Sequence, residues 1–352
     1  VILDLTLNPL PIAIISGTDT ICIGESSDLA FTLTGLAPFN VDYIDGTNNF
    51  NVNLDINGNN ASSGIPISHY PLINTNYSII GIMDANGCSN IGSGTADKIV
   101  NPLPNITISG SIGICLGDST DLAFSVWVGT APFNVTLNDG IVDSYWLMDN
   151  NGTVNGLPVT VSPNNSTTYS LVEVTDANGC WNELNGNATI IVHNLPTALI
   201  SGTTTLCEDE FAPITFTLQN GLPPYNVNYN INEVATFNTF SNNGLNTIMV
   251  NPSTTTVYSL VDITDANNCF NTANDSVTIN VNEKVNAIIS GGGDICNDGS
   301  QATIDIIIDD STIVNLTYTN GFNPITLSGV GPFEIITNQA GLYMITDVVD
   351  IY

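Results

Sequence analysis

Positive charge is almost absent from this sequence. Its 352 residues include only 2 Lys and Arg against 33 Asp and Glu, which gives a formal net charge of −31. Proteins bind nucleic acids and anionic lipid headgroups largely through Lys and Arg, so a surface this acidic repels both. We therefore expect no nucleic-acid partner.

Long hydrophobic runs are also missing. No segment approaches the roughly 18 consecutive apolar residues of a membrane-spanning helix, and no charged start followed by an apolar core marks a secretory signal. We expect no direct membrane insertion. Residues 1–8 instead alternate like a β-strand that leads into proline, which predicts the last strand of a preceding repeat.

The sequence does contain an internal repeat of domain size. The motif PIAIISGTDTIC at 11–22 recurs three times in variant form, and the cysteines that end successive copies are 93, 92 and 89 residues apart. It ends each time at a residue that we call an opening cysteine, namely Cys22, Cys115, Cys207 or Cys296. A GxxPFNV-like loop follows at 35–41, 129–135 and 221–227. A Tyr-led segment then ends in DANGC or DANNC at a turn cysteine, namely Cys88, Cys180 or Cys269. Such a period predicts tandem domains rather than one globule.

Within each period, short β-rich runs are bounded by Gly, Asn, Asp and Pro, and no stretch has the apolar period of a helix. Roughly seven strands in about 90 residues are typical of an immunoglobulin-like sandwich. We therefore predict an all-β chain of tandem immunoglobulin-like β-sandwich domains arranged as an elongated rod. The predicted domains are repeat 1 (9–101), repeat 2 (102–194), repeat 3 (195–283) and repeat 4 (284–352).

Repeat 4 departs from the pattern, because it lacks the early PFNV loop and carries GPFEI later. We expect it to be an incomplete or variant repeat. In the other repeats, a tyrosine begins the strand before the turn cysteine and is either a tyrosine corner or an ordinary strand residue. These tyrosines are Tyr77, Tyr169 and Tyr258.

The seven cysteines follow the period, at intervals far longer than those of CxxC zinc sites. The simplest hypothesis pairs the two cysteines inside each repeat, as Cys22–Cys88, Cys115–Cys180 and Cys207–Cys269. Closing a loop of that length is worth roughly 4 kcal/mol in the chain-entropy model. Disulfides persist in oxidising surroundings, so we expect an extracellular location.

This pairing leaves Cys296 over. In repeat 3 the turn cysteine follows Tyr258 by 11 residues, and Tyr343 holds the matching place in repeat 4. We therefore expect the parent protein to continue with a cysteine near position 354 as the partner of Cys296. Flanking sequence without a cysteine there contradicts this expectation.

No motif of catalysis stands out. The histidines are His69 and His193, and His193 holds the place that Asn101 and Asn282 occupy in neighbouring repeats, which indicates an interchangeable surface residue. There is no GxSxG elbow, P-loop, GxGxxG or HExxH motif. We expect no enzymatic active site.

The DAN segments have two interpretations. Their acid and amide oxygens lie two residues apart, as in calcium loops, at Asp84 with Asn86, Asp176 with Asn178 and Asp265 with Asn267. Calcium needs six or more ligands, however, and Asp, Asn and Gly also form tight turns through their own backbone. The pattern favours a turn that delivers a cysteine, and no cofactor is expected unless calcium binds here.

The three tryptophans all lie in repeat 2. The segment SYWLM offers Tyr145 and Trp146 as a sugar-stacking patch, because aromatic faces bind apolar ring surfaces. Packing within a strand is the alternative that the sequence favours.

Together, the motifs PxAxISGxxxxC, GxxPFNV and TTYSLxxVTDANGC resemble the tandem immunoglobulin-like or PKD-like repeats of very large Bacteroidota surface proteins. That group includes gliding adhesins and other cargo of the type IX secretion system. The resemblance covers essentially the whole chain. It implies display at the cell surface and a role in cell adhesion, gliding motility or filament building.

The function expected from the sequence is that of a non-catalytic repeat segment, a disulfide-stapled stalk of an extracellular adhesin. One alternative is the subunit of a self-assembling filament or sheath, and another is a set of accessory repeats on a secreted polysaccharide-degrading enzyme. The expected partners are neighbouring repeats of the same chain, with surface polysaccharide or identical chains in a filament as further candidates.

Overall fold

The computed structural model describes residues 6–309 and 311–351. Within these residues the regular elements are β-strands, which confirms the predicted all-β class. Most of the first strand predicted for residues 1–8 lies outside the described residues, and residues 6–8 are not in a strand. The chain divides into two compact units, Val1–His193 and Asn194–Tyr352.

Repeat 1 is a sandwich of two sheets. Its strands are β1 (Ile12–Ser16), β2 (Asp19–Cys22), β3 (Ser27–Thr34), β4 (Phe39–Ile44), β5 (Asn49–Leu54), β6 (Ile67–His69), β7 (Thr75–Met83), β8 (Ser89–Asn90) and β9 (Thr95–Asn101). The smaller sheet has the order β1-β3-β6. The larger has the order β2-β9-β7-β4-β5, with β8 added to β7. The β2–β9 pair is parallel, and the other pairs of these two sheets are antiparallel.

Repeats 2 and 3 have the same arrangement. Repeat 2 contains β10 (Asn105–Ser109), β11 (Ile112–Cys115), β12 (Thr120–Val128), β13 (Phe133–Asn138), β14 (Asp143–Met148), β15 (Val159–Val161), β16 (Thr167–Thr175) and β17 (Trp181–His193). Repeat 3 contains β18 (Thr197–Ser201), β19 (Thr204–Cys207), β20 (Ala212–Gln219), β21 (Tyr225–Ile231), β22 (Val234–Phe240), β23 (Gly244–Val250), β24 (Thr256–Thr264), β25 (Phe270–Thr272) and β26 (Ser276–Asn282). In both, the strand of the opening cysteine pairs in parallel with the closing strand.

Repeat 4 has two three-stranded sheets. Its strands are β27 (Ala287–Gly291), β28 (Ala302–Ile308), β29 (Ile313–Thr319), β30 (Pro324–Val330), β31 (Phe333–Thr337) and β32 (Met344–Asp350). The sheet orders are β27-β28-β31 and β30-β29-β32. Its GPFEI segment leads into β31, whereas the PF motifs of the other repeats lead into a strand of the larger sheet. The sequence departure in repeat 4 therefore corresponds to a different strand.

Each repeat buries its own hydrophobic core between its sheets. Strand β3 shows the cause, because buried and exposed residues alternate along its whole length and only one face is apolar. Separate clusters of buried side chains form in the four repeats, centred for example on Phe39, Phe133, Phe216 and Leu316. The rings of Tyr77 and Tyr258 are buried in these cores, and Tyr169 is partly buried at the edge of its own.

Lys98 is an exception to the apolar cores. Its side chain is only 1% exposed, and its Nζ donates hydrogen bonds to the carbonyl oxygens of Asp28, at 2.8 Å, and Gly17. Desolvation lowers the pKa of Lys98 below its ordinary value. The matching ladder positions in repeats 2 and 3 are Ile190 and Ile279, both fully buried. The repeat thus tolerates a lysine here because two backbone carbonyls solvate the ammonium group.

The strand directions place the two kinds of cysteine at opposite ends of a repeat. Cys22 lies opposite Asn101 at the end where the chain leaves repeat 1, which we call the exit end. Strand β7 starts at that end, where its first four residues pair antiparallel with β9. It is nine residues long, or about 30 Å at ~3.3 Å per residue. Cys88 follows β7, so it lies at the far end, which we call the entry end.

Phe216 offers a test of the separate cores. Its ring is fully buried, with ring centroids 5.4 Å from Tyr229 and 5.0 Å from Phe240. We expect Phe216→Ala to destabilise repeat 3 by about 3–5 kcal/mol, because it removes a large side chain and leaves a cavity. Hydrogen exchange read by mass spectrometry should then show faster exchange in repeat 3 and unchanged exchange in repeat 1.

The matched control is Phe237→Ala, which removes the same ring from an exposed position of the same repeat. It should leave exchange in the core strands of repeat 3 nearly unchanged. Equal losses of protection in repeats 1 and 3 after Phe216→Ala would contradict independent cores.

Candidate functional site: the cysteines at the repeat ends

The opening cysteines of repeats 1 to 3 share one backbone geometry. Cys22 pairs with Asn101 across a parallel ladder, and Cys207 pairs with Asn282 in the same way. Each cysteine N–H then bonds a glutamate Oε2 three residues on, that of Glu25 at 2.8 Å in repeat 1 and Glu210 at 2.9 Å in repeat 3. Cys115 holds the corresponding ladder position opposite His193 in repeat 2.

The turn cysteines are held by a buried aspartate. In repeat 2, Asp176 Oδ1 accepts hydrogen bonds from the backbone N–H groups of Asn178, at 2.9 Å, and Cys180, at 3.0 Å. Its Oδ2 accepts from Thr130 N at 3.1 Å, and Thr130 belongs to the GxxPFNV loop. The same Oδ1 bonds recur at Asp84 and Asp265. The aspartate therefore joins two of the landmarks seen in the sequence.

The residue before each turn cysteine explains the difference between DANGC and DANNC. Gly87 and Gly179 both adopt a φ of 81°, a conformation that glycine takes without strain. In repeat 3, Asn268 takes the same place at a φ of 63°. Asparagine is among the few other residues that tolerate this region, so the turn survives the change.

An asparagine two residues after each turn cysteine is a site residue that sequence reasoning missed. Asn90, Asn182 and Asn271 donate from Nδ2 to the carbonyls of Pro11, Pro104 and Pro196 at 2.9, 3.0 and 2.9 Å. These prolines lie where the chain enters each repeat. The signal was a recurring C-x-N pattern, in CSN, CWN and CFN. It ties the turn to the linker between repeats.

The disulfide observed in unit Val1–His193 joins two consecutive repeats. Cys22 of repeat 1 is bonded to Cys180 of repeat 2, with a Cα–Cα distance of 5.5 Å and a sequence separation of 158. The predicted pairs Cys22–Cys88 and Cys115–Cys180 are therefore wrong. The physical reason is the strand length, since disulfides require Cα atoms within about 7 Å and the two ends of a repeat are much farther apart.

The remaining cysteines fall into two groups. Cys115 and Cys269 are also disulfide-bonded. Cys88, Cys207 and Cys296 carry free thiols, with Cys88 partly buried and the other two exposed. The predicted pair Cys207–Cys269 is therefore wrong as well. Cys180 and Cys269 are fully buried, so bonded turn cysteines are covered more completely than Cys88.

A cleft of about 500 Å³ lies beside the Cys22–Cys180 bond. Its walls come from the loop after Cys22, from the linker residue Leu103 and from the start of β17. Trp181 lines it while remaining 57% exposed, and Glu25 and Glu183 line the same cleft. The junction between repeats 1 and 2 is therefore a defined, partly aromatic surface.

The residues considered for calcium form the turn itself. Asp176 and Asp265 each use both carboxylate oxygens to accept backbone N–H groups, and Asp84 uses Oδ1. Asn178 Nδ2 is directed to Thr130 Oγ1 at 3.0 Å. Within the described ranges, no group of three or more His, Cys, Asp or Glu is arranged to hold a metal ion.

His69 belongs to an aromatic cluster in repeat 1. Its Nε2 lies 2.9 Å from Tyr43 Oη, and its ring centroid lies 4.9 Å from that of Phe50 and 4.8 Å from that of Tyr77. Burial lowers the pKa of His69 and raises the pKa of Tyr43 to about 12. Both side chains are thus held neutral at physiological pH.

Tyr145 and Trp146 are not brought together into one patch. Successive residues of β14 point to opposite faces, so Tyr145 is 71% exposed while Trp146 packs against the core of repeat 2. Trp146 Nε1 also donates to Ser144 Oγ at 3.0 Å. The prediction that both rings form one sugar-stacking patch is therefore wrong. Trp146 packs within the sandwich, as the alternative interpretation states. His193 lies in the closing strand β17 opposite Cys115.

Comparisons with known proteins give only distant likenesses. The chain matches no family model and no curated protein. Among solved structures, fibronectin(III)-like modules of Clostridium thermocellum CbhA are 14% identical, with 51% of this chain and 95% of that chain covered and a TM-score of 0.28. A marsupial T cell receptor is 11% identical, with 90% and 99% covered and a TM-score of 0.36. An Escherichia coli alpha-2-macroglobulin is 9% identical, with 94% and 27% covered and a TM-score of 0.19.

In the part of the chain that the structure describes, no helix is long and apolar enough to cross a bilayer.

The buried turn aspartate generates a prediction. We expect Asp176→Ala to lower the stability of repeat 2 by about 1–3 kcal/mol, because three buried or half-buried N–H groups lose a charged acceptor. Differential scanning calorimetry should show a lower melting temperature for the variant. Calcium should not raise the melting temperature of the unaltered chain, because the backbone already occupies the aspartate oxygens.

Asp118→Ala is the matched control, since Asp118 is an exposed acid in the loop after Cys115 of the same repeat. The Asp118→Ala variant should have the same melting temperature as the unaltered protein. A calcium-dependent rise in melting temperature that disappears in Asp176→Ala would identify a metal site instead of a turn.

Proposed function

We propose that this chain is a non-catalytic repeat segment of a large extracellular surface protein, and that it serves as a disulfide-linked stalk in adhesion. The observation that carries the proposal is the Cys22–Cys180 bond between consecutive repeats. A bond inside one domain stabilises that domain alone. A bond between domains also fixes their junction, which is what a stalk needs to transmit force.

The bond changes the path of a pulling force. Tension along the chain passes from Cys22 directly to Cys180 and bypasses the 158-residue stretch between them. If repeat 1 or repeat 2 unfolds, this stretch therefore cannot be drawn out. A stalk built in this way keeps its length under loads that unfold individual sandwiches.

The extracellular location that the disulfides and the repeat motifs favour agrees with this role. Disulfides form and persist in oxidising compartments outside the cytoplasm. A formal net charge of −31 favours solubility and disfavours sticking to anionic surfaces. The resemblance of the repeat motifs to Bacteroidota gliding adhesins and type IX secretion cargo supports display at the cell surface.

Force measurement on single molecules tests the stalk. The full chain would be held by its two ends and pulled with its disulfides intact, then again after reduction. We expect the reduced chain to extend about 520–570 Å farther when fully unfolded, because 158 residues at roughly 3.3–3.6 Å each become available.

A variant with Cys22→Ser and Cys115→Ser should extend as far as the reduced chain without any reductant. Cys296→Ser removes a thiol that is already free and should behave like the unaltered chain. Equal extension of the oxidised and reduced chains would refute the load-bearing role. In electron micrographs, ordered fibres with lateral contacts would favour a filament subunit over a stalk, which should give isolated rods.

A further inference from the structure

Repeat 3 has an open sheet edge. Strand β23 is the last strand of the sheet β18-β20-β23, and among the described residues no further strand pairs with its outer side. An edge strand presents a row of backbone N–H and C=O groups that have no ladder partner, so a strand from another chain can pair with it. Proteins usually prevent such pairing by keeping edge strands short or by placing charges on them.

The equivalent edges of repeats 1 and 2 have both protections. Strands β6 and β15 are three residues long, whereas β23 has seven residues. In repeat 1, Ser68 of β6 donates from Oγ to Asp28 Oδ1 at 2.5 Å. In repeat 2, Thr160 of β15 donates from Oγ1 to Asp121 Oδ1 at 2.6 Å. Each short edge strand therefore has a carboxylate beside it.

Repeat 3 lacks this carboxylate. Pro213 is the second residue of β20, the place that Asp28 has in β3 and Asp121 in β12. It lies opposite Met249 of β23, as the two aspartates lie opposite Ser68 and Thr160. An apolar pair thus replaces a charged, hydrogen-bonded one at the edge.

The whole smaller sheet of repeat 3 is uncharged. Its strands read TALIS, APITFTLQ and GLNTIMV, and they contain no acid and no base. The edge strand β31 of repeat 4, in contrast, carries Glu334 opposite Asp305. Two copies of a chain with a net charge of −31 repel one another wherever their acids approach. The smaller sheet of repeat 3 is a place where two copies can meet without opposing carboxylates from these strands.

The sequence of β23 is complementary to itself. Antiparallel pairing of two β23 strands about a twofold axis at Thr247 places Leu245 of each copy opposite Met249 of the other. These two side chains are 75% and 59% exposed in the single chain, so the pairing covers apolar surface. The strand therefore fits a second copy of itself.

The centre of this pairing is a pair of threonines. Thr247 of one copy lies opposite Thr247 of the other, and cross-strand Thr–Thr pairs stabilise sheets. Within one chain, Thr247 Oγ1 already lies 2.9 Å from Thr215 Oγ1. A hydroxyl group donates one hydrogen bond and accepts others, so the row of threonines can continue across the twofold axis.

We propose that two copies of this chain pair through their β23 strands, so that two three-stranded sheets become one six-stranded sheet. The contact is antiparallel and symmetric. The inference goes beyond the proposed stalk, because it links separate chains, whereas the Cys22–Cys180 bond links repeats of one chain.

The test uses the full chain with its free thiols blocked by iodoacetamide, so that disulfides between chains do not form. Sedimentation velocity over about 1–500 μM should show a reversible equilibrium between monomer and dimer, as expected for a small interface. Hydrogen exchange read by mass spectrometry should slow in β23 as the concentration rises. Exchange in β6 and β15 should not change.

Charge at the twofold axis makes the test specific. Thr247→Asp should raise the dissociation constant at least roughly tenfold, because it places two carboxylates opposite each other in the interface. Thr247→Lys alone should weaken the dimer in the same way. An equimolar mixture of the two variants should form dimers again, because a carboxylate then faces an ammonium group.

The matched control is Thr239→Asp, in the other edge strand of repeat 3. Like Thr247, Thr239 is exposed, and its Oγ1 donates to Asn226 Oδ1 at 2.7 Å. This variant should dimerise like the unaltered chain. All three variants should keep the melting temperature of the unaltered chain, because they change exposed residues.

Three results overturn the proposal: a chain that stays monomeric over the whole range, equal weakening by Thr239→Asp and Thr247→Asp, or a mixture of the Asp and Lys variants that stays monomeric. Slower exchange of β23 on adding an uncharged extended peptide to a monomeric chain would assign the edge to a foreign strand instead. The pulling experiment measures one chain, so the stalk and the pairing can fail separately.

Discussion

The length of the central strands governs how the cysteines of this protein pair. A nine-residue strand such as β7 separates the exit end of a sandwich from its entry end by about 30 Å. The opening cysteine lies at one end and the turn cysteine at the other, so neither can reach its companion in the same repeat. Within unit Val1–His193, the exit end of repeat 1 adjoins the entry end of repeat 2, and this allows Cys22 to bond Cys180.

Much of the fold was predictable because it depends on local patterns. The alternation in DLAFTLTG gives β3, and the recurrence of DANG gives a turn held by its own aspartate. The variant nature of repeat 4 was visible in the displaced GPFEI motif. These features are encoded within a few residues of where they act. Because the sequence contains an internal repeat, the local patterns that predict these features occur several times in it.

The disulfide pairing was not predictable in the same way. Sequence spacing gives the length of the loop between two cysteines, but it does not tell which end of a sandwich each cysteine occupies. That information depends on strand direction, and in particular on the parallel pairing of β2 with β9. The predicted stacking patch of Tyr145 and Trp146 is wrong for a related reason, since successive residues of a β-strand point to opposite faces of the sheet.

The buried aspartate of each turn orders the cysteine that follows it, and in repeats 2 and 3 that cysteine is disulfide-bonded. A carboxylate that is about 5% exposed is costly unless its oxygens are hydrogen-bonded, and here backbone N–H groups supply those bonds. The same bonds fix the backbone of the cysteine four residues later. A cysteine that is already ordered loses little conformational entropy when it bonds a neighbouring repeat. The turn therefore makes the inter-repeat link easier to form, and the C-x-N asparagine, by holding the turn against the entering chain, places that link at the junction.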